Sequence, residues 1–261
     1  MSTASIVVYA VAGAVGALVA ALLVRGEQRK QLRVIVTVVA AIVLGKLGDY
    51  YVAKPYEADR ALREIPAFEA LREHEPATYR KIRADIITAT RGGAKREALR
   101  ARVRAHTEAV VAKYIPRASD EALRKYMAVL VEEIRLIAAK NPADGVKYLF
   151  PAPGEAVDVA KYLDPAMQKR DLDALAELIR TGAASKARPV DPERANVLLE
   201  EAMTNLRAEY GDEAVDTLAA PRAAGTDPKL LCAMTVDLYE SLLRLPPDDS
   251  AIVLRDLLAG A

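Results

Sequence analysis

The chain has 261 residues, with 37 basic and 36 acidic side chains, a net charge of +1, 52% hydrophobic residues and a single cysteine. That apolar content excludes a disordered chain, and the lone cysteine excludes a disulfide scaffold. The balanced charge gives no electrostatic footprint for a nucleic-acid partner.

The apolar residues are concentrated at the start. Ile6 to Val24 is 19 residues without a charge, about 28 Å of helix and so about one bilayer core. A cleaved signal peptide is the rival reading. It needs a basic leader and a small-residue cleavage site, but the run is preceded by MSTAS and followed by RGEQRK. A loop at 25–33 then carries Arg25, Arg29, Lys30 and Arg33 against Glu27, a net charge of +3. The second apolar run, Val34 to Leu44, is too short to span alone and spans only if it continues to about residue 52. The expectation for residues 1–53 is therefore a transmembrane helical hairpin, with helices at about 6–24 and 34–52.

The positive-inside rule puts the 25–33 loop in the cytoplasm and everything after residue 53 outside it. Tyr9, Tyr50 and Tyr51 would then share the outer interface. This implies a membrane protein of the cell envelope, in the bacterial inner membrane with a periplasmic body. The alternative is an interfacial or core second helix, which leaves the body cytoplasmic.

Small residues recur at every fourth position in both runs: Gly13, Ala17 and Ala21, then Ala12, Gly16 and Ala20, then Thr37, Ala41 and Gly45. Such stripes let helix backbones approach closely in lipid, within one hairpin or between copies. Lys46 and Asp49 form a polar pair one turn apart at the end of the second run. They read either as a snorkelling interfacial pair or as part of an ion path.

Residues 54–261 read as all-α: a multi-helix bundle or a short α-solenoid-like soluble domain, divisible into two sub-bundles at about 54–150 and 151–261. Apolar stripes mark Leu99, Val103, His106 and Val110; Leu123, Met127, Leu130, Ile134 and Ile137; and Leu231, Met234, Leu238 and Leu242. A less regular stripe holds Val197, Leu198, Glu201, Ala202 and Leu206. Asp164-Pro165, Asp191-Pro192 and Asp227-Pro228 each place an N-cap acceptor before a proline at the first helical position. Asn141-Pro142 and Ser119-Asp120 are further starts, and Gly92-Gly93, Gly182, Gly211 and Gly225 are stops or turns. The helices fall at about 57–64, 66–75, 77–91, 94–115, 120–140, 142–149, 165–181, 192–210, 228–244 and 250–259, with a short one at 155–163. Pro116-Arg117-Ala118-Ser119 matches Pro221-Arg222-Ala223-Ala224, each before a long helix. A true duplication here would imply stacked helical hairpins.

Motifs for chemistry are scarce. His74 and His106 lack the spacing of a metal-ligating pair, Cys232 sits among Leu230, Leu231, Ala233 and Met234, and no phosphate loop or nucleophile elbow occurs. No cofactor, metal or catalytic residue is expected. Arg96, Arg100 and Arg104 lie on one helical edge, either as a patch for anionic headgroups or an acidic partner, or as a solvated face. The expected function is a membrane-anchored helical interaction or scaffold protein, with other envelope proteins or further copies as partners. The alternatives are an oligomeric transport or pore-forming subunit built on the hairpin, and an envelope-acting enzyme using carboxylates.

Overall fold

The structure is a computed structural model that describes residues 3–12, 43–44, 46, 52–94, 106, 109–152, 155, 157–188, 190–223 and 225–259. Among these, every regular element is helical. The chain divides into two units: Met1–Ile65 with Ala77–Leu99, and Pro66–Pro76 with Arg100–Ala261.

In the first unit, residues 3–12 are helical. They lie beside the start of α1 (Lys54–Arg63), because Thr3, Ala4, Val7 and Val8 line one cleft together with Val52, Ala53, Tyr56, Glu57 and Arg60. The helix α3 (Pro76–Arg91) buries Tyr79, Ile82, Ile86 and Ile87. The side chain that ties α3 to α1 is Asp59. It accepts from Tyr79 Oη at 3.4 Å, from Arg83 Nε, and from Arg63 Nη2 at 2.7 Å.

The second unit is organised around α4 (Asp120–Lys140). This helix packs against α5 (Pro142–Leu149), α6 (Pro165–Ala183), α9 (Pro228–Arg244) and α10 (Pro247–Ala259). The helix α2 (Pro66–His74) lies on α6, and α7 (Pro192–Tyr210) lies on α9 and α10. A short α8 (Asp212–Asp216) follows α7. Leu123, Met127, Ile134 and Ile137 of α4, Leu178 and Ile179 of α6, Leu231, Met234 and Leu242 of α9, and Leu254 of α10 are fully buried. At about 1.5–3 kcal/mol for each such side chain, this face holds the unit together.

The starts follow the Asp-Pro pairs. Asp164, Asp191 and Asp227 accept from the backbone N–H of Met167, Arg194 and Lys229 at 2.7, 3.0 and 2.9 Å. Ser119 and Asn141 do the same for Ala122 at 3.2 Å and Asp144 at 3.3 Å.

Four details differ from the sequence expectation. The last helix begins at Pro247 instead of 250, with Asp248 and Asp249 in its first turn, where carboxylates oppose the helix dipole. The segment 155–163 holds only a single 3₁₀ turn, Val159–Lys161, among its described residues. Gly182 does not stop a helix: α6 runs through it to Ala183. A Cβ at Gly182 would stand 2.9 Å from Tyr114 Cδ1, so the glycine is there for close approach. On α7, Val197 is exposed and the buried stripe is Ala195, Leu198, Ala202 and Leu206, spaced three and four apart.

The expected hairpin is described only at its ends: 6–12, 43, 44, 46 and 52. Among the described residues no helix is long and apolar enough to cross a membrane, and residues 13–42 lie outside them.

Candidate functional site

Two places in the structure carry chemistry, one in each unit. The first is a set of exposed apolar side chains, of which Val7, Val52 and Tyr56 line one cleft. Ile6, Val7, Val11, Val43, Val52 and Tyr56 are each at least half exposed. Only two other large apolar side chains are exposed among the described residues, Leu136 and Val197, and both belong to the second unit. The surface of water-soluble helices shows scattered apolar side chains, but a concentration on neighbouring turns of one helix marks a face that meets something apolar. That cleft, of about 440 Å³, lies between the helical segment 3–12 and α1, with Glu57 and Arg60 at its polar edge. Arg60 itself is held by Glu64 at 3.0 Å.

Of the residues singled out in the sequence, Lys46 is helical and exposed. Asp49, Gly13, Gly16, Ala17, Ala21, Ala41, Gly45, Arg96, Arg100 and Arg104 lie outside the described residues.

The second place is an acid and tyrosine cluster where α4, α5 and α6 meet, with Glu133 buried and Tyr148 and Asp171 partly buried. Glu133 of α4 is 2% exposed and accepts a hydrogen bond from the Tyr148 hydroxyl of α5. Burial drives the Tyr148 phenol well above its ordinary value, and the charges of Glu133 and Asp171 push it further. Burial also raises Asp171 of α6, to about 6. Val129, Ile137, Leu163, Met167 and Ala174 form the apolar surroundings, with Tyr126, Tyr148 and Tyr162 packed against them.

Sequence reasoning missed this centre. The signal for half of it is present: Asp171 lies on the stripe Met167, Ala174, Leu175 and Leu178, an acid on an otherwise buried face. No signal separates Glu133 from Glu132 beside it, which instead meets Arg170 at 2.7 Å.

A smaller cleft of about 260 Å³ lies between the start of α5 and the segment 221–228, lined by Val146, Lys147, Glu155, Arg222 and Thr226 among others. Its cations are already engaged. Arg222 bonds to Glu155 and to the carbonyl oxygen of Phe150, and Lys147 meets Asp144 at 3.1 Å. Neither Glu133 nor Asp171 lines either cleft.

Cys232 is buried, its Sγ stands 3.6 Å from the carbonyl oxygen of Pro142, and burial pushes the thiol up to about 11. A thiol held so far above neutrality carries little thiolate and little reactivity. His74 closes α2. Among the described residues, no three His, Cys, Asp or Glu side chains come together as a metal ion would need.

Fold and sites together define an all-α helical bundle with exposed apolar side chains in its N-terminal unit. Comparison with family models, with curated proteins and with solved structures finds no match to this chain.

Proposed function

We propose that the chain is a membrane-anchored, all-helical interaction protein of the cell envelope. In this reading residues 1–53 form a transmembrane hairpin and the remaining helices meet other proteins outside the cytoplasm. The observation that carries it is the placement of exposed apolar side chains at both ends of the hairpin. Ile6, Val7 and Val11 precede the loop, and Val43, Val52 and Tyr56 follow it. Lipid is the apolar phase that accepts such a surface without a packed protein partner.

The cleft shared by residues 3–8 and 52–60 adds a second support. A chain that leaves along one helix and returns beside it is what a hairpin requires. The uncharged run 6–24 supplies the length, and the +3 loop at 25–33 supplies the orientation. Binding is favoured over catalysis because Glu133 is turned into the core of the second unit, Asp171 lines neither cleft, and Glu155, which lines the smaller one, is paired with Arg222. The stripes at Gly13, Gly16, Ala17, Ala21, Ala41 and Gly45 suit close packing of the spans within the hairpin or between copies.

Cysteine labelling tests both anchor and orientation, because Cys232 is buried and so contributes little background. With an impermeant maleimide on intact cells, Glu64→Cys is expected to label at once and Gln28→Cys only after lysis. The reverse pattern puts the body in the cytoplasm. Release of the full chain from membranes by an alkaline wash removes the anchor itself.

A further inference from the structure

We propose that residues 116–150 and 221–255 are two copies of one helical hairpin, and that each presents, across a pseudo-twofold axis, a face that docks a second copy of itself.

Sequence and burial set the correspondence. Each segment opens on a turn, at 116–118 and 221–223. A long helix follows, then a short one that starts at a proline: α4 and α5 in the first segment, α9 and α10 in the second. Every position has its counterpart 105 residues on. Pro116, Arg117 and Ala118 recur as Pro221, Arg222 and Ala223, and Pro142, Asp144 and Leu149 recur as Pro247, Asp249 and Leu254. Burial is the independent evidence. Met127, Val129, Val131, Glu133 and Ile137 are buried in α4, and their counterparts Cys232, Met234, Val236, Leu238 and Leu242 are buried in α9. Burial at every second residue differs from the three-and-four stripe of a helix covered on one side, so its recurrence is not a generic helical match. On the short helices, Gly145 and its counterpart Ser250 are both buried.

The hydrogen bonds relate the two copies. The end of each short-helix segment is tied to the leading turn of the other copy. Arg255 donates to the carbonyl oxygen of Ala118 at 2.6 Å, and Arg222 donates to the carbonyl oxygen of Phe150 at 2.6 Å. Phe150 and Arg255 are counterparts, and Arg222 is the counterpart of Arg117, next to Ala118. The same contact is thus made twice, once in each direction, as an isologous interface requires. Packing is reciprocal as well: α4 lies on α9, α4 lies on α10, and α9 lies on α5.

The axis can be placed. Arg124, near the start of α4, donates to the carbonyl oxygen of Leu243, near the end of α9, at 3.0 Å. Leu243 is the counterpart of position 138, and 124 and 138 lie equally far from 131. The axis therefore passes at Val131 and its counterpart Val236, and these two share one buried cluster. One turn further on, Arg135 meets its own counterpart Glu240 at 2.5 Å. Copies stacked by translation, as in a solenoid, would keep all counterparts at one spacing. Here Arg135 touches its counterpart, whereas Arg124 touches Leu243, about 21 Å along α9 from the counterpart of Arg124, Lys229. The face is therefore self-complementary, and carrying both copies in one chain makes their docking intramolecular.

The test is a set of spin-label distances in the full chain, held in a detergent micelle and carrying Cys232→Ala. Three counterpart pairs are labelled in turn: Arg135→Cys with Glu240→Cys, Ala139→Cys with Arg244→Cys, and Glu121→Cys with Thr226→Cys. The first pair is expected to be the closest. The second and third should be longer by up to about 12 and about 18 Å, because each residue away from the axis adds up to twice the helical rise. Equal distances in all three, or a 135/240 pair that is not the shortest, overturns the proposal. Should a labelled chain fail to fold, thermal unfolding at low salt decides. Arg135→Glu and Glu240→Arg each set like charges beside the axis and are expected to lower the midpoint, and the two together to restore it. A double variant that unfolds no later than the single variants overturns the proposal equally.

Discussion

Arg255 donates from Nη2 to the carbonyl oxygen of Ala118 at 2.6 Å and stands 2.6 Å from Asp120 Oδ1, joining the last helix to the turn that starts the central one. Arg255 is 3% exposed, and Arg188 reaches the other oxygen of Asp120 at 2.9 Å. One carboxylate thus fixes two arginines from distant parts of the chain beside the N-terminus of α4, where its charge also opposes the helix dipole.

Removing Arg255 leaves the Ala118 carbonyl without its donor and opens a cavity. Arg255→Ala is expected to cost about 3 kcal/mol in urea unfolding. Arg188→Ala acts on a half-exposed bond and is expected to cost under about 1 kcal/mol. Equal losses from the two substitutions would show that burial does not set the difference.

Gly145 lies where α5 crosses α9. A Cβ there would stand 2.8 Å from Cys232 Sγ and 3.2 Å from Ala138 Cβ. Alanine gains helix propensity of up to about 1 kcal/mol, but overpacking a core costs about 1–3 kcal/mol. Gly145→Ala is therefore expected to be net destabilising. Combining it with Cys232→Ala removes the closer obstacle, so the double variant should be more stable than the sum of the two predicts, by about 1 kcal/mol. Strict additivity in a double-mutant cycle would contradict the contact.

The helices are legible in the sequence because their signals are local. An aspartate before a proline needs only its own turn to cap a helix, and the chain does this at Asp164, Asp191 and Asp227. Apolar spacing likewise fixes which face of α4 and α9 is buried. What depends on the partner helix is not legible. Gly182 reads as a stop until Tyr114 is seen against it, and Glu133 reads like Glu132 until Tyr148 and Arg170 are seen to take one each. The acid and tyrosine cluster belongs to that second kind: it exists only once α4, α5 and α6 are packed.

Asp59 provides a pH test in the first unit. Burial pushes its carboxyl up, but Arg83 and Arg63 outweigh burial and the net shift is downward. A depressed carboxyl stabilises the fold above its unfolded value of 3.8, and that contribution is lost as the pH falls through its folded value. The expected result is a thermal midpoint that drops in acid for the wild type and drops less steeply for Asp59→Asn. At neutral pH the variant is less stable, because Arg63 and Arg83 lose their acceptor. A variant with the wild-type acid slope would show that other carboxyls govern this unit.

The last prediction separates an anchor from a conducting path. Lys46 is helical and exposed; in the proposed hairpin it would stand near the end of the second run, where a lysine can reach the headgroups. If the hairpin only fastens the body, then Lys46→Ala with Asp49→Ala leaves membrane association and partner capture unchanged, since neither residue belongs to the small-residue stripes. If the two line a path, ion flux into proteoliposomes loaded with the wild-type chain should exceed that of empty vesicles, and the double substitution should abolish the excess. Charged groups that guide an ion are not replaceable by alanine, whereas snorkelling groups are. Flux that is absent in the wild type, together with an alkali-resistant double variant, supports the anchor. Flux that depends on both residues transfers the function of the hairpin from fastening to transport.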